Sequence, residues 1–96
     1  MDEETKIAVH RLLVLAMDDT GGSQAAANFL MAWWNAKELG GFDLTELWLL
    51  DDLAARDARL VFAHVAAHQE YPTEVIDRAE IEALIHRWRP EATAAD

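Results

Sequence analysis

The segment "AMDDTGGSQ" at residues 16–24 contains the triplet Asp-Thr-Gly, which carries the catalytic carboxylate in aspartic proteases. Those enzymes hold two such carboxylates so close together that the pair shares one proton, and each triplet lies on a loop in a β-barrel-like frame. Here the triplet lies between two stretches with helical spacing, and Asp18 precedes it where a strand would place an apolar residue. The segment also lacks the lysine of a phosphate-binding loop. We therefore interpret residues 16–24 as a helix end, a glycine turn and a helix cap.

Two histidines have the spacing of metal ligands. His64 and His68 are four residues apart, so on a helix they share a face. A stable zinc site needs a third ligand, which His10, His86 or a carboxylate would have to supply from another helix. The alternative is a pair of exposed histidines near a helix C-terminus, where the helix dipole favours their protonated forms. We predict no catalytic residue, no bound metal and no cofactor.

Two pairs of adjacent carboxylates also occur, at Asp18-Asp19 and at Asp51-Asp52. Neighbouring residues on a helix point about 100° apart and do not face each other, so neither pair forms an acid–base dyad. Both pairs border predicted helix ends. The first pair is interpreted as solvated turn residues, and the second as negative charge at a helix N-terminus, which the dipole stabilises.

Trp33 and Trp34 are adjacent on a predicted helix, so they cannot both point toward one core face. If Trp33 is buried, Trp34 turns toward the surface or a second helix and can join Phe42 and Trp48 in an exposed aromatic patch with acidic neighbours. Such patches anchor protein–protein contacts. The alternative is that all these rings fill the core. The residues predicted to bind a partner are Trp34, Phe42, Trp48, Asp51 and Asp52.

The elements that position these residues all have helical spacing. The predicted helices cover residues 5–18, 24–38, 44–50, from 51 or 52 to about 69, and from 77 to 89, the third of these being short. Glycines follow the first two, and Pro72 and Pro90 end the last two. No stretch alternates between polar and apolar residues as a strand does. The sequence therefore predicts an all-α fold, a compact bundle of four main helices and one short helix, in a single domain 1–96 with frayed ends at 1–4 and 91–96.

Capping residues and apolar faces refine this prediction. Ser23 is the expected N-cap of the second helix, and Asp43 with Glu46 has capping-box spacing before the short helix. One face of the long helix that follows is apolar, and its residues are Leu50, Ala54, Ala58, Val61, Phe62 and Val65. Two further leucines, at 53 and 60, lie off that face. We therefore expect this helix to be covered on two sides and to be the central one.

The composition excludes several classes of function. The 96 residues include 18 Asp and Glu but only 8 Lys and Arg, a formal net charge of −10. Such a surface repels phosphate backbones, which argues against direct nucleic-acid binding and favours basic partners. There is no cysteine, and no apolar run approaches the roughly 20 residues that span a bilayer. We expect a cytoplasmic protein with no membrane partner.

Three segments combine uncommon residues, "DTG" at 19–21, "AWWNA" at 32–36 and "GGFDL" at 40–44. Through them, residues 12–91 resemble a family of small proteobacterial proteins with no assigned activity, often encoded on integrative and conjugative elements. The resemblance implies a mobile element in a bacterial cell as the setting. Small acidic proteins in that setting include inhibitors of host defence, among them anti-CRISPR proteins, some of which mimic nucleic acid with surface carboxylates.

Three hypotheses follow. The first is a non-catalytic protein that binds and inhibits another protein, such as a basic nucleic-acid-binding protein or a CRISPR effector subunit, and it predicts salt-sensitive binding. The second is a structural or regulatory accessory of the mobile element that forms a homodimer or larger homo-oligomer, and it predicts a self-complementary apolar patch. The third is a small metal-dependent enzyme using His64 and His68, and it predicts bound metal.

Overall fold

The computed structural model describes residues 1–94, which form α-helices and 3₁₀ segments and contain no β-strand. The α-helices are α1 (Glu3–Ala16), α2 (Gly21–Leu39), α3 (Asp52–Ala67), α4 (Arg78–Trp88) and α5 (Pro90–Ala94). The 3₁₀ segments are η1 (Leu44–Leu49) and η2 (Pro72–Glu74). The predicted all-α class is confirmed, with four main helices and the short helix at η1.

Side-chain caps set where the helices begin. The Asp2 carboxylate accepts a hydrogen bond from the Thr5 amide at 2.8 Å, and Thr20 Oγ1 accepts one from the Ser23 amide at 3.0 Å. The cap of α2 is therefore Thr20, and the prediction of Ser23 was wrong, since the helix begins three residues earlier than predicted. The capping box of Asp43 and Glu46 is confirmed.

Helical structure extends into both terminal segments of the described chain. Residues 1–4 and 91–96 were expected to be frayed, but Glu3 and Glu4 form the first turn of α1, and residues 91–94 belong to α5. Residues 95 and 96 lie outside the described residues.

The core is built around α1, which packs against both α2 and α3. Three consecutive alanines of α2, at 25–27, are fully buried and allow α1 to approach closely. The prediction that α3 is central was wrong, because α3 packs mainly on α1 and leaves much of its surface uncovered. Phe62, expected in the core, is 63 % exposed, and Leu53 is exposed as well. Much of the core is formed by the side chains Val9, Leu12, Leu30, Met31, Val61, Ile76, Ile81 and Leu84.

An ion pair joins α3 to α1. Asp57 of α3 is only 1 % exposed, and Arg11 of α1 donates to both of its carboxylate oxygens, at 2.9 Å from Nε and 2.8 Å from a terminal nitrogen. The carboxylate raises the pKa of Arg11, mainly through this hydrogen bonding. Two parallel hydrogen bonds of this kind fix both distance and orientation.

Residues near the end of α4 cap the end of α1. The indole N–H of Trp88 donates to the Ala16 carbonyl at 2.7 Å, and Arg87 donates to the Asp18 carbonyl at 2.6 Å. The last carbonyls of a helix have no partner within it, so Trp88 satisfies one that α1 leaves open, while Arg87 binds the turn just after the helix. The C-terminal part of the fold is thereby attached to the end of the first helix.

The chain turns sharply after α2 because its last turn is interrupted. Asn35 has extended backbone angles (φ −163°, ψ 80°), and its side chain accepts a hydrogen bond from the Glu38 amide at 3.3 Å. Gly40 then has φ 99°, a conformation that side chains disfavour. Arg89 donates to the Leu39 carbonyl at 3.1 Å and holds this turn. The chain is thus directed back along α2 toward η1.

The described part of the chain has a radius of gyration of 12.4 Å, close to the roughly 12 to 13 Å of a compact domain this long. None of its helices combines the length and apolar character required to cross a bilayer.

Candidate functional site

An apolar groove of about 520 Å³ lies between α2, η1 and α3, and we call it the α2–α3 groove. Its lining residues are Phe29, Ala32, Trp33, Phe42, Leu44, Leu47, Ala58, Arg59, Val61, Phe62 and Val65. Arg59 is the one charged residue among them. The groove is open to solvent, and Leu44 and Phe62 are 66 % and 63 % exposed. Exposed apolar surface of this kind commonly marks a binding site.

The η1 wall of the groove is held by a network of hydrogen bonds. The Glu46 carboxylate accepts from the Asn28 side chain at 2.7 Å and from the Asp43 amide at 3.3 Å. Arg89 in turn donates to the Asn28 side-chain oxygen at 2.8 Å. Because Glu46 lies between Leu44 and Leu47, this network fixes both leucines relative to α2.

Two aromatic contacts position the α2 wall. Phe29 and Phe42 pack edge to face with ring centroids 5.3 Å apart. The Trp33 indole N–H donates to the Glu70 carbonyl at 2.8 Å, so the ring is held at its polar edge while its apolar surface lines the groove. Aromatic pairs with this geometry are stabilising beyond the area they bury.

The turn that holds Trp33 is itself fixed by His64. Its Nε2 and the Glu70 carboxylate are 3.0 Å apart, and this hydrogen bond lowers the pKa of Glu70. His68 stacks on His64 with ring centroids 4.4 Å apart. No three His, Asp or Glu side chains among the described residues come together in a way that suits a metal ion. His64 therefore contacts the turn after α3 through Glu70. The same turn holds Trp33, which lines the groove.

The structure does not bring Trp34, Phe42 and Trp48 into one patch. Phe42 lines the α2–α3 groove, while Trp34 points toward α4, where it contacts Tyr71 and lies under Arg78. Trp48, on η1, is 83 % exposed and lies outside the groove. Only Phe42 of these three rings therefore shares a site with the groove residues, and the partner-binding role of each remains a prediction.

Asp51 and Asp52 lie at the start of α3. The Asp51 carboxylate accepts from the Ala54 amide at 2.8 Å and is the N-cap, while Asp52 is exposed in the first turn. The expected helix-terminal position is confirmed for both. Their contact with a partner stays a prediction.

Sequence reasoning missed the residues that form most of the groove. Phe62 was assigned to the core because it shares a helical face with Ala58 and Val61. Arg59 was not among the predicted binding residues, although it stands between two apolar residues of a predicted helix. The groove depends on how far α3 lies from α2, which helical periodicity does not specify.

A second, shallower apolar surface lies between α1 and α3. Ile7, Val14 and Leu53 are exposed there, and Val14 is 74 % exposed. The surface also includes the half-exposed side of the Arg11–Asp57 pair. This surface between α1 and α3 is therefore lined by more charged side chains than the α2–α3 groove.

Comparison with known proteins establishes the family. Residues 6–89 match the family of unknown function DUF7673. The chain belongs to this family. No curated protein and no solved structure gives a significant match. The family assignment covers every helix that forms the groove, so the groove belongs to the family domain.

Proposed function

We propose that this DUF7673 protein is a non-catalytic binding protein whose α2–α3 groove accepts an apolar helix face of a protein partner. The observation that carries the proposal is the groove itself, in which ten of eleven lining residues are apolar and two large side chains, Leu44 and Phe62, are exposed at its rim. Amphipathic helices bind in such grooves through apolar residues spaced three, four and seven apart.

The shape of the groove favours a helix over a small molecule. Small-molecule sites bury most of the ligand and place several polar groups to orient it. This groove is open along the surface and offers one charged side chain, Arg59. Its walls are two helices and a 3₁₀ segment, so a helix laid between them would complete the packing that α3 lacks on this side.

The charge of the molecule indicates the partner's character. A formal net charge of −10 attracts basic proteins and speeds their association at low ionic strength. The most specific form of the proposal is an inhibitor of a basic nucleic-acid-binding protein, such as a CRISPR effector subunit, acting in the cytoplasm of a proteobacterium that carries a mobile element. The setting comes from the family resemblance of the sequence.

Self-association is the second candidate, and the α1–α3 surface favours it. Val14 and Leu53 are exposed there beside Ile7, which supplies apolar area for contact with a second copy. A symmetric dimer needs one self-complementary patch of this kind.

Two matched variants distinguish these candidates. Phe62→Ser and Val14→Ser each remove a mostly exposed apolar side chain, but only Phe62 lines the groove. Wild type and both variants are tagged, mixed with nuclease-treated host lysate, and compared for stoichiometric partners and for native mass by light scattering. We expect a protein partner that Phe62→Ser loses by at least about tenfold and Val14→Ser keeps, since roughly 1.4 kcal/mol lost at one anchor is tenfold in affinity.

Other outcomes contradict the proposal. A partner retained equally by Phe62→Ser and wild type would show that the groove is not the binding site. A wild-type dimer that only Val14→Ser disrupts, with no other partner, would favour self-association. Moderate salt should release a partner attracted by charge, and a complex indifferent to salt would remove the acidic surface from the proposal.

A further inference from the structure

Arg59 differs from the other arginines in the described part of the chain, because its side chain makes no polar contact there. The others are engaged, Arg11 with Asp57, Arg56 with Glu4, Arg78 with Glu82, Arg87 with the Asp18 carbonyl, and Arg89 with Asn28. Within residues 1–94, Arg59 has no hydrogen bond, ion pair or ring contact. Its guanidinium lies at the edge of the α2–α3 groove, in solvent.

The helix that carries Arg59 offers it no acidic neighbour. Residues three and four positions away on a helix are the ones that reach each other's side chains. For Arg59 these are Ala55, Arg56, Phe62 and Ala63, of which none is acidic. Arg87 and Arg89 also lack a carboxylate partner, but each donates to carbonyl or amide oxygens, which Arg59 does not.

Binding of a helix in the groove changes how far the Arg59 guanidinium is exposed to water. A helix that covers Phe62 displaces water from the Arg59 guanidinium on the same groove, and a charge that loses water without gaining a partner is costly. A carboxylate on the incoming helix offsets that cost, because its two oxygens accept two parallel hydrogen bonds from one edge of the planar guanidinium.

We propose that the groove selects helices that carry an Asp or Glu at one fixed position beside their apolar residues, paired with Arg59. The inference rests on the proposed helix-binding function and adds a rule for specificity and orientation. An apolar stripe alone fits the groove in either direction, whereas a single charge pair fixes which end of the helix lies toward η1. Outside this position the −10 charge of the protein favours a basic helix.

A displayed library of helical peptides, randomised along one face, tests the inference without a known partner. It is selected separately on wild type, on Arg59→Glu and on the control Arg56→Glu, which changes the net charge equally one turn away and outside the groove. We expect wild type and Arg56→Glu to enrich an acidic residue at one position relative to the apolar residues. Arg59→Glu should lose those peptides by at least about tenfold, and it should enrich Lys or Arg at the same position.

The reciprocal exchange completes the test. Replacing the acidic residue of a selected peptide by lysine should abolish binding to wild type and restore binding to Arg59→Glu. Peptides that require Phe62 but show no charged position would overturn this inference and leave the proposed function standing. If no selected peptide is sensitive to Phe62→Ser, or if the groove is occupied by a second copy of the chain, both the inference and the proposed function fail.

Discussion

The Asp57 carboxylate fixes the position of α3 relative to α1, because Arg11 binds both of its oxygens. Asp57 is the one buried charged side chain in the described part of the chain. It faces away from the α2–α3 groove but belongs to the same helix as Arg59 and Phe62. The distance of α3 from its neighbours, and so the width of the groove, therefore depends on this pair.

Replacing Asp57 by alanine should lower the free energy of unfolding by about 2 kcal/mol, because a buried, doubly hydrogen-bonded charge pair is lost. Urea unfolding followed by circular dichroism measures the change. Arg56→Ala is the control, since its pair with Glu4 is exposed and should contribute little. An unchanged value for Asp57→Ala would show that the pair only offsets the cost of its own burial.

The start of α2 lies against the end of η1. A methyl group on Gly22 would lie 3.1 Å from the Leu49 carbonyl oxygen, whereas one on Gly21 would have nothing within 4 Å. Both glycines lie in the first turn of α2. The close approach helps to place η1, and with it Leu44 and Leu47, along the groove.

Gly21→Ala should raise the free energy of unfolding by about 0.5 kcal/mol, because alanine restricts the unfolded chain more than glycine does. Gly22→Ala should lack this gain or be destabilising, since the new methyl group presses on the Leu49 carbonyl. Thermal and urea unfolding of the two variants in parallel measure the difference. Equal stabilisation by both substitutions would show that η1 moves away from α2 without cost.

The sequence specified the elements better than their arrangement. Helix spacing, the capping box at Asp43 and the prolines at 72 and 90 depend on local interactions, so they were readable and mostly correct. Thr20 and Ser23 are both good N-caps three residues apart, and local preference did not distinguish them. The Arg11–Asp57 pair joins residues 46 positions apart, and the exposure of Phe62 depends on that tertiary geometry.

Three carboxylates distributed over the molecule have pKa values that folding lowers. The pKa of Glu70 is lowered by its hydrogen bond with His64, that of Asp2 by hydrogen bonds with Thr5, and that of Asp43 by hydrogen bonds from Thr45. A carboxyl group whose pKa is lower in the folded state binds protons more readily when the chain unfolds. These groups therefore stabilise the fold above their ordinary pKa values of 3.8 and 4.5, and the contribution is lost as the pH falls through the folded values.

Glu70→Gln should therefore be less stable than wild type at neutral pH, and the difference should fade as the pH falls below 4.5. Unfolding in urea over a series of pH values measures it. Glu74→Gln removes the same charge from an exposed position on η2 and should follow wild type throughout. A difference that does not change with pH would mean that Glu70 acts through the shape of the turn and not through its charge.

The caps that α4 places on α1 also bear on how the protein is made. The Ala16 carbonyl of α1 and the Asp18 carbonyl just after the helix receive hydrogen bonds from Trp88 and Arg87, up to 72 positions later in the chain. During translation, α1 and α2 leave the ribosome with those carbonyls still in water and with the α4 side of the core uncovered. The nascent chain reaches its native arrangement only after residue 88 has been added, and until then it exposes apolar surface to chaperones and proteases.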